Sequence, residues 1–314
     1  MCGIVGYFDK REPAAPVGRV LLDMLSALAG RGPDSAGVAI WGKPVDGLIV
    51  RVKPSGQEAE APLVREVVKR ARRLARVRAV VTRSSLIRLV VDKANPAELA
   101  AAIEGAGPEV EVVSMGRRLE IVKQVQSPSN LETTFGISHL AGNCGIGHTR
   151  LSTESRVDLS HSQPFWTHGT LDLAVVHNGH ITNYHKLRRQ YEQRGVRFYT
   201  ENDSEVIGIY LADQMARGLG FTEALETSVK ELDGSFSYLA ATAEAFGFAK
   251  DPFCLKPLIV AETERFVAIA NEEVAIQAAF PGSCSAREAG AAAVGVWSGI
   301  PAAPSGLRRR RRAA

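Results

Sequence analysis

Between residues 146 and 270 the apolar residues fall in short runs closed by turns: Leu173–Val176, Phe236–Ala241, Ala245–Ala249, Leu258–Ala261 and Phe266–Ala270. Runs of this length are too short for buried helices and read as strands. Three longer stretches carry helical spacing: Asn183–Gln193, Ser204–Arg217 after a cap at Asn202 or Asp203, and Thr222–Leu232. Many antiparallel strands with helices packed outside them predict a layered α+β fold. The first residues continue the pattern, with a strand over Ile4–Phe8, a helix over Val17–Leu28, a turn at Gly30–Asp34 and a strand over Val38–Trp41.

Charge divides the chain of 314 residues. Residues 1–50 are neutral, residues 51–130 carry 15 basic and 9 acidic side chains, and residues 131–307 carry 13 and 20. Arg308–Arg312 close a tail rich in Ala, Gly, Pro and Ser. Blocks this different are expected to have different tasks. Residues 43–60 read as a linker. After it come a basic helix over Ala61–Val77, a strand over Leu86–Val91, a helix over Pro96–Glu104, and strands over Glu109–Val113 and Leu119–Val125. The expected organisation is a discontinuous domain of residues 1–50 and 131–281, an inserted α/β subdomain of 51–130, and a disordered tail of 282–314.

The four cysteines (Cys2, Cys144, Cys254, Cys284) form no C-x-x-C pair, so neither a metal site nor a disulfide scaffold is expected. No dinucleotide or phosphate-loop glycine pattern occurs, so no cofactor is expected. No apolar run reaches the roughly 18 residues of a membrane span. The start, Met1–Lys10, lacks a basic n-region, so a cytoplasmic chain with no membrane partner is expected.

Four motifs carry chemistry. In Met1-Cys2-Gly3-Ile4-Val5-Gly6, removal of Met1 would give Cys2 a free α-amine. Such an amine titrates at about 7.7–8, so one residue would supply both nucleophile and base; a small buried residue at a strand start is the alternative. Gly147-His148-Thr149-Arg150-Leu151-Ser152-Thr153 offers a guanidinium fork for a carboxylate, or a structural ion pair. His177-Asn178-Gly179 ends a strand as a turn, or as an oxyanion hole built from the Asn178 amide and the Gly179 N–H. Thr200-Glu201-Asn202-Asp203-Ser204-Glu205 is a helix cap, or holds an anion facing a ligand ammonium.

In this order the four motifs resemble the class II glutamine amidotransferase domain of the N-terminal-nucleophile hydrolases. Further matches are Arg31-Gly32-Pro33-Asp34-Ser35-Ala36-Gly37, Asp233-Gly234-Ser235-Phe236, and Lys250-Asp251-Pro252 with Lys256-Pro257-Leu258. The resemblance covers about 1–42 and 146–280. It implies a four-layer αββα sandwich, here with the small α/β subdomain inserted. It also implies that Cys2 attacks the side-chain amide of L-glutamine, that Asn178 and Gly179 hold the oxyanion, and that Arg31 orders the nucleophile. Arg150 and Thr153 would bind the α-carboxylate and Asp203 the α-ammonium. His177 would lie beside the substrate. The mechanism needs no histidine base, so His161, His177 and His180 are expected to be structural, and Cys144 and Cys254 passive. Two departures adjoin the matched residues: Leu151 stands where the family often has Trp or Tyr, and Phe253-Cys254-Leu255 where Gly is usual.

Little ordered sequence is expected after about residue 297, which leaves no room for a fused synthase. The lone-domain length and the insertion together resemble the stand-alone amidotransferase subunits of glutamate synthase-related enzymes, including the N-methylglutamate synthase type. That resemblance implies an ammonia-accepting partner such as an FMN-dependent glutamate synthase-like protein. A stand-alone hydrolase of a γ-glutamyl or other amide, and a glutamine-sensing regulatory subunit, are the alternatives. The basic insertion and tail lack an aromatic platform, so docking to an acidic protein surface is expected and nucleic acid is not.

Overall fold

The computed structural model describes residues 2–54, 59–151, 157–282 and 285–299. At its centre are two antiparallel sheets. The catalytic sheet has seven strands in the order β15 (Ala286–Glu288), β13 (Ile259–Glu262), β14 (Phe266–Ala270), β1 (Gly3–Asp9), β8 (Cys144–Arg150), β2 (Ser35–Trp41) and β7 (Leu119–Val125). The facing sheet has five, in the order β16 (Val294–Ser298), β12 (Ala245–Lys250), β11 (Gly234–Ala241), β10 (Ala174–Ile181) and β9 (Phe165–Trp166). Strands β1 and β8 pack on β10 and β11. A side chain at Gly6 would put its Cβ 2.7 Å from Phe246 and 2.8 Å from Leu239, so glycine there lets the sheets close.

Helices cover both outer faces. On the catalytic sheet, α1 (Val17–Ala27) buries Val17, Leu21, Met24 and Leu25, and packs on β1, β8, α4 (Pro128–Phe135) and α8 (Glu273–Ala279). On the facing sheet, α6 (Asp203–Ala216) lies on β10 and α7 (Phe221–Glu231) on β12, with α5 (Tyr184–Gln193) against α6. This is the four-layer αββα sandwich.

The inserted unit has its own sheet, ordered β4 (Val77–Arg83), β5 (Leu86–Val91), β3 (Leu48–Lys53) and β6 (Glu111–Gly116), with α2 (Ala61–Ala71) and α3 (Pro96–Glu104) packed together. Its limits differ from those expected. Leu48–Lys53 is a strand inside the stretch read as linker, masked in the sequence by Gly47 and Pro54. At the far side β7 already pairs with β2, so the chain re-enters the catalytic sheet at Leu119 instead of residue 131. The basic helix stops at Ala71, and Val77–Arg83 is a strand: Val77, Val80, Val81 and Thr82 are β-branched and favour the pleated backbone.

The tail also differs. Ala286–Glu288 pairs with β13 and Val294–Ser298 with β12, where composition predicts disorder from residue 282. Besides these ladders, the fully buried Lys250 anchors the first of them: its Nζ donates to Glu288 (3.0 Å) and to the Ala289 carbonyl (2.9 Å). Residues 300–314, including the arginine run, lie outside the described residues.

Candidate active site

Strand β1 begins at Gly3, which leaves Cys2 at its open end, half-buried, with Sγ 3.8 Å from the Leu151 carbonyl. The Arg31 guanidinium reaches this end from a 3-10 turn, Ala29–Arg31. Its Nε donates to the Cys2 carbonyl at 3.1 Å, and it forms an ion pair with Glu272. Asn271 clamps Ile4, two residues on: its Oδ1 accepts from Ile4 N–H (2.5 Å), its backbone N–H donates to the Ile4 carbonyl (3.2 Å), and its Nδ2 donates to the Pro257 carbonyl (2.9 Å). Arg150 ends β8, buried, opposite Ser35 of β2, and its carbonyl accepts from Asp34 N–H at 3.0 Å. The Arg31–Ser35 segment thus wraps the backbone of Arg150. Thr153 lies outside the described residues.

The other predicted residues gather at the end of β10. Gly179 has φ +139°, and a Cβ there would sit 2.1 Å from the Ser235 carbonyl oxygen and 2.7 Å from Phe236 Cα. Only glycine fits between β10 and β11 at this point. Asn178 is buried, and its Nδ2 has no hydrogen-bond partner among the described residues. The cap of α6 is Asn202, whose Oδ1 accepts from Ser204 N–H at 3.0 Å. That releases Asp203 from capping. Its Oδ2 accepts from Ile181 N–H at 2.8 Å, and its carboxylate lies 3.7 Å from His177 Nδ1 and 3.5 Å from His180 Nδ1.

The histidines hold this geometry. His177 Nδ1 shares a hydrogen bond with Ser204 Oγ (2.9 Å), and Gln163 binds the His177 backbone at both N–H (2.6 Å) and carbonyl (3.1 Å). Burial pushes His177 below its ordinary range. His161 Nδ1 is 2.7 Å from Asp158 Oδ1. His148 of β8 is fully buried and depressed to about 3, chiefly by burial and then by the charges of His177 and Arg150. It marks where the Arg150 end of one sheet meets the His177 end of the other. The Cys144 thiol is fully enclosed and raised well above its usual range by burial, which suppresses its nucleophilic form.

Sequence reasoning missed Asn271 and Glu272, which fix the N-terminal strand, and Gln163 and Ser204, which fix His177. Asp251 fell inside a matched motif with no role attached. Its carboxylate accepts from the N–H groups of Phe236 (2.9 Å), Phe253 (2.6 Å) and Cys254 (3.0 Å), which ties the loop after β12 to the strand opposite Gly179. Polar residues directly after an apolar strand, as at Asn271-Glu272, are the signal that could have drawn attention. Among the described residues no group of three or more metal-ligating side chains converges, and no helix is long and apolar enough to cross a membrane.

A half-buried cysteine opening a central strand of an αββα sandwich, an Asn-Gly strand end carrying a buried unpaired amide, and an aspartate released from capping match the parts expected of an N-terminal-nucleophile amidohydrolase. The sequence profile described as "Glutamine amidotransferase domain" matches residues 148–278. The "Glutamine amidotransferase-like protein GlxB" of Rhizobium meliloti is 37% identical over 274 residues, 87% of this chain and 89% of its own. An amidophosphoribosyltransferase of Methanocaldococcus jannaschii is 30% identical over 174 residues, 55% of this chain and 36% of its own. In fold, the chain is similar to the glutamine phosphoribosylpyrophosphate amidotransferase from B. subtilis, with TM-score 0.60 and 18% identity, over 95% of this chain and 47% of that one, so it spans about half of that structure. The chain belongs to the glutamine amidotransferase family, class II, an enzyme family of the N-terminal-cysteine type.

Proposed function

We propose that this chain hydrolyses L-glutamine to glutamate and ammonia through a thioester on Cys2, and passes the ammonia to a separate synthase subunit of the glutamate synthase or N-methylglutamate synthase type. With Met1 removed, the Cys2 α-amine takes the thiol proton and the thiolate attacks the δ-carbon of glutamine. Asn178 Nδ2 and Gly179 N–H donate to the oxyanion. The ammonium formed on Cys2 returns its proton to the leaving nitrogen, ammonia departs, and a γ-glutamyl thioester remains. Water adds to the thioester, glutamate leaves and the thiol is restored. Arg150 and Thr153 hold the α-carboxylate, Asp203 holds the α-ammonium, and Arg31 keeps the Cys2 carbonyl in place. His177 orients this end of β10 as a neutral ring.

The observation that carries the hydrolytic reading is Asn178: a buried amide donor left unpaired beside a glycine N–H at a strand end. Such a group costs about 1–3 kcal/mol to bury without a partner, and a transient oxyanion would supply the partner. The hand-over of ammonia rests on the likeness to GlxB along 89% of that protein, against 36% of the longer amidophosphoribosyltransferase, and on the basic insertion.

Mass spectrometry of the intact chain, before and after a glutamine-mimicking electrophile, tests the first half. Loss of Met1 and a single label on Cys2, with glutaminase activity abolished in Cys2→Ala, is expected. A label elsewhere defeats it, and turnover only of other γ-glutamyl amides would select a stand-alone hydrolase instead. A pull-down from the native cell that recovers no synthase-like protein would sink the second half.

A further inference from the structure

The inserted subdomain touches the amidotransferase domain through a part-buried side-chain cluster around Glu104 and Tyr199. Glu104, the last residue of α3, has a side chain only 7% exposed; its Oε1 accepts from Val112 N–H at 3.1 Å and its Oε2 accepts from the Tyr199 hydroxyl at 2.9 Å. The Tyr199 ring stacks on His168 with centroids 3.5 Å apart, and the Arg197 guanidinium lies 4.7 Å from its centroid. Tyr199 is therefore gripped at its tip by the insertion and along its ring by the domain.

From Tyr199 the chain runs four residues to Asp203, and Tyr199, Thr200 and Asn202 on the way are tied to Glu205, Arg188 and the start of α6. The Glu205 carboxylate accepts from Tyr199 N–H, Thr200 N–H and Thr200 Oγ1, each at 2.9 Å. Thr200 Oγ1 accepts from Asn202 N–H (3.1 Å), and Asn202 caps α6. Arg188 donates to the Thr200 carbonyl at 2.6 Å. A segment bound this closely moves as a unit, so a shift of Tyr199 is carried to Asp203 instead of being absorbed.

We propose that Glu104 and Tyr199 are positioning residues for Asp203, so that the inserted subdomain sets the ammonium half of the glutamine site. This rests on the reading above, that Asp203 receives the α-ammonium. The insertion is then an input to substrate affinity: whatever docks on it and moves α3 changes how well free glutamine is held, with the chemistry at Cys2 untouched.

The test compares two substrates in the full chain: glutamine, and glutaramate, which keeps the carboxylate and the amide but lacks the α-amino group. Tyr199→Phe keeps the stacked ring and removes one hydrogen bond. It is expected to raise KM for glutamine about five- to tenfold, leave kcat within about twofold, and leave kcat/KM for glutaramate unchanged. Glu104→Gln, which retains an acceptor for the Tyr199 hydroxyl, is expected to show a smaller rise of the same kind. If Tyr199→Phe depresses both substrates equally, or neither, while Asp203→Asn still collapses the preference for glutamine over glutaramate, the positioning role is wrong and the ammonium reading stands. If Asp203→Asn does not alter that preference, the ammonium reading itself fails and the inference goes with it.

Discussion

Replacing Asn178 by alanine separates the two meanings of an Asn-Gly strand end. If the side chain exists to make a turn, removing it costs stability. If it exists to receive charge, removing it costs rate. Asn178 is 6% exposed and its Nδ2 has no partner among the described residues, so the resting protein carries an unsatisfied donor worth about 1–3 kcal/mol of destabilisation. Truncation deletes that penalty and loses packing of comparable size, so the net change is expected within about 1 kcal/mol. For a chain of this size that is a shift of about 2–4 °C or less in Tm. The rate is another matter. Deleting one preorganised oxyanion donor typically costs 100- to 1000-fold in kcat, about 2.7–4 kcal/mol, and KM for glutamine should change little. Calorimetry supplies Tm, and ammonia release at saturating glutamine supplies kcat. A variant that melts more than about 8 °C lower while retaining its turnover would refute the oxyanion role and restore the turn.

Gly179→Ala should fail on both counts, because its Cβ would fall 2.1 Å from the Ser235 carbonyl oxygen at φ +139°; a Tm equal to the parent's would contradict that packing. Stability should decline on acidification. His148 is held at about 3 in the folded state against an ordinary 6.5, so only the unfolded chain gains this proton between those values. The contribution is whole above 6.5 and is lost as pH falls toward 3, at about 1.4 kcal/mol per pH unit, or about 2 kcal/mol by about pH 5. His168, also depressed to about 3 by burial, adds to the slope, while Glu104 and Glu205, raised by burial, oppose it at lower pH. Equal urea midpoints at about pH 7.5 and 5 would rule this out. Lys123 of β7 is buried over the Phe165 ring and depressed to about 8 from 10.5, chiefly by burial. Lys123→Met should therefore stabilise by about 2 kcal/mol near neutral pH, the desolvation saving less the lost ring contact; a lower denaturant midpoint would count against it.

The motifs of the candidate site stand out in the sequence more plainly than the architecture around them. Cys2, Arg150, Asn178-Gly179 and Asp203 each stand in a short segment whose residue types and order constrain one another. For Asp203 even the ambiguity was visible, since Asn202 and Asp203 both suit a cap and only the geometry shows Asn202 taking it. What failed was assignment by local composition. Arg65 to Arg76 recur at helical spacing, and the pattern hid the β-branched run that begins at Val77. The Ala- and Gly-rich composition after Gly282 masks the short run Val294-Gly295-Val296-Trp297. The segment is ordered by an edge of each sheet and by Lys250, a partner 38 residues away from Glu288. Asn271 and Glu272 stand out locally as polar residues after an apolar strand, but their roles depend on residues 267 and 241 positions distant, Ile4 and Arg31.

The insertion is bound to the catalytic sheet more firmly than its separate composition suggests. The hairpin that carries it home places β6 in the small sheet and β7 in the large one. β7 is in register with β2, Val125 opposite Ser35, and Ser35 in turn stands opposite Arg150. On the other side, Glu104 grips Tyr199 at the head of the loop that ends in Asp203. The same subdomain therefore abuts the segment bearing the proposed carboxylate ligand through a strand ladder, and the segment bearing the proposed ammonium ligand through a part-buried hydrogen bond. The two connections differ in stiffness. A ladder of backbone hydrogen bonds resists displacement along its whole length, whereas one tyrosine hydroxyl can yield alone. A load on the insertion would then be felt first at Asp203, and least at Arg150.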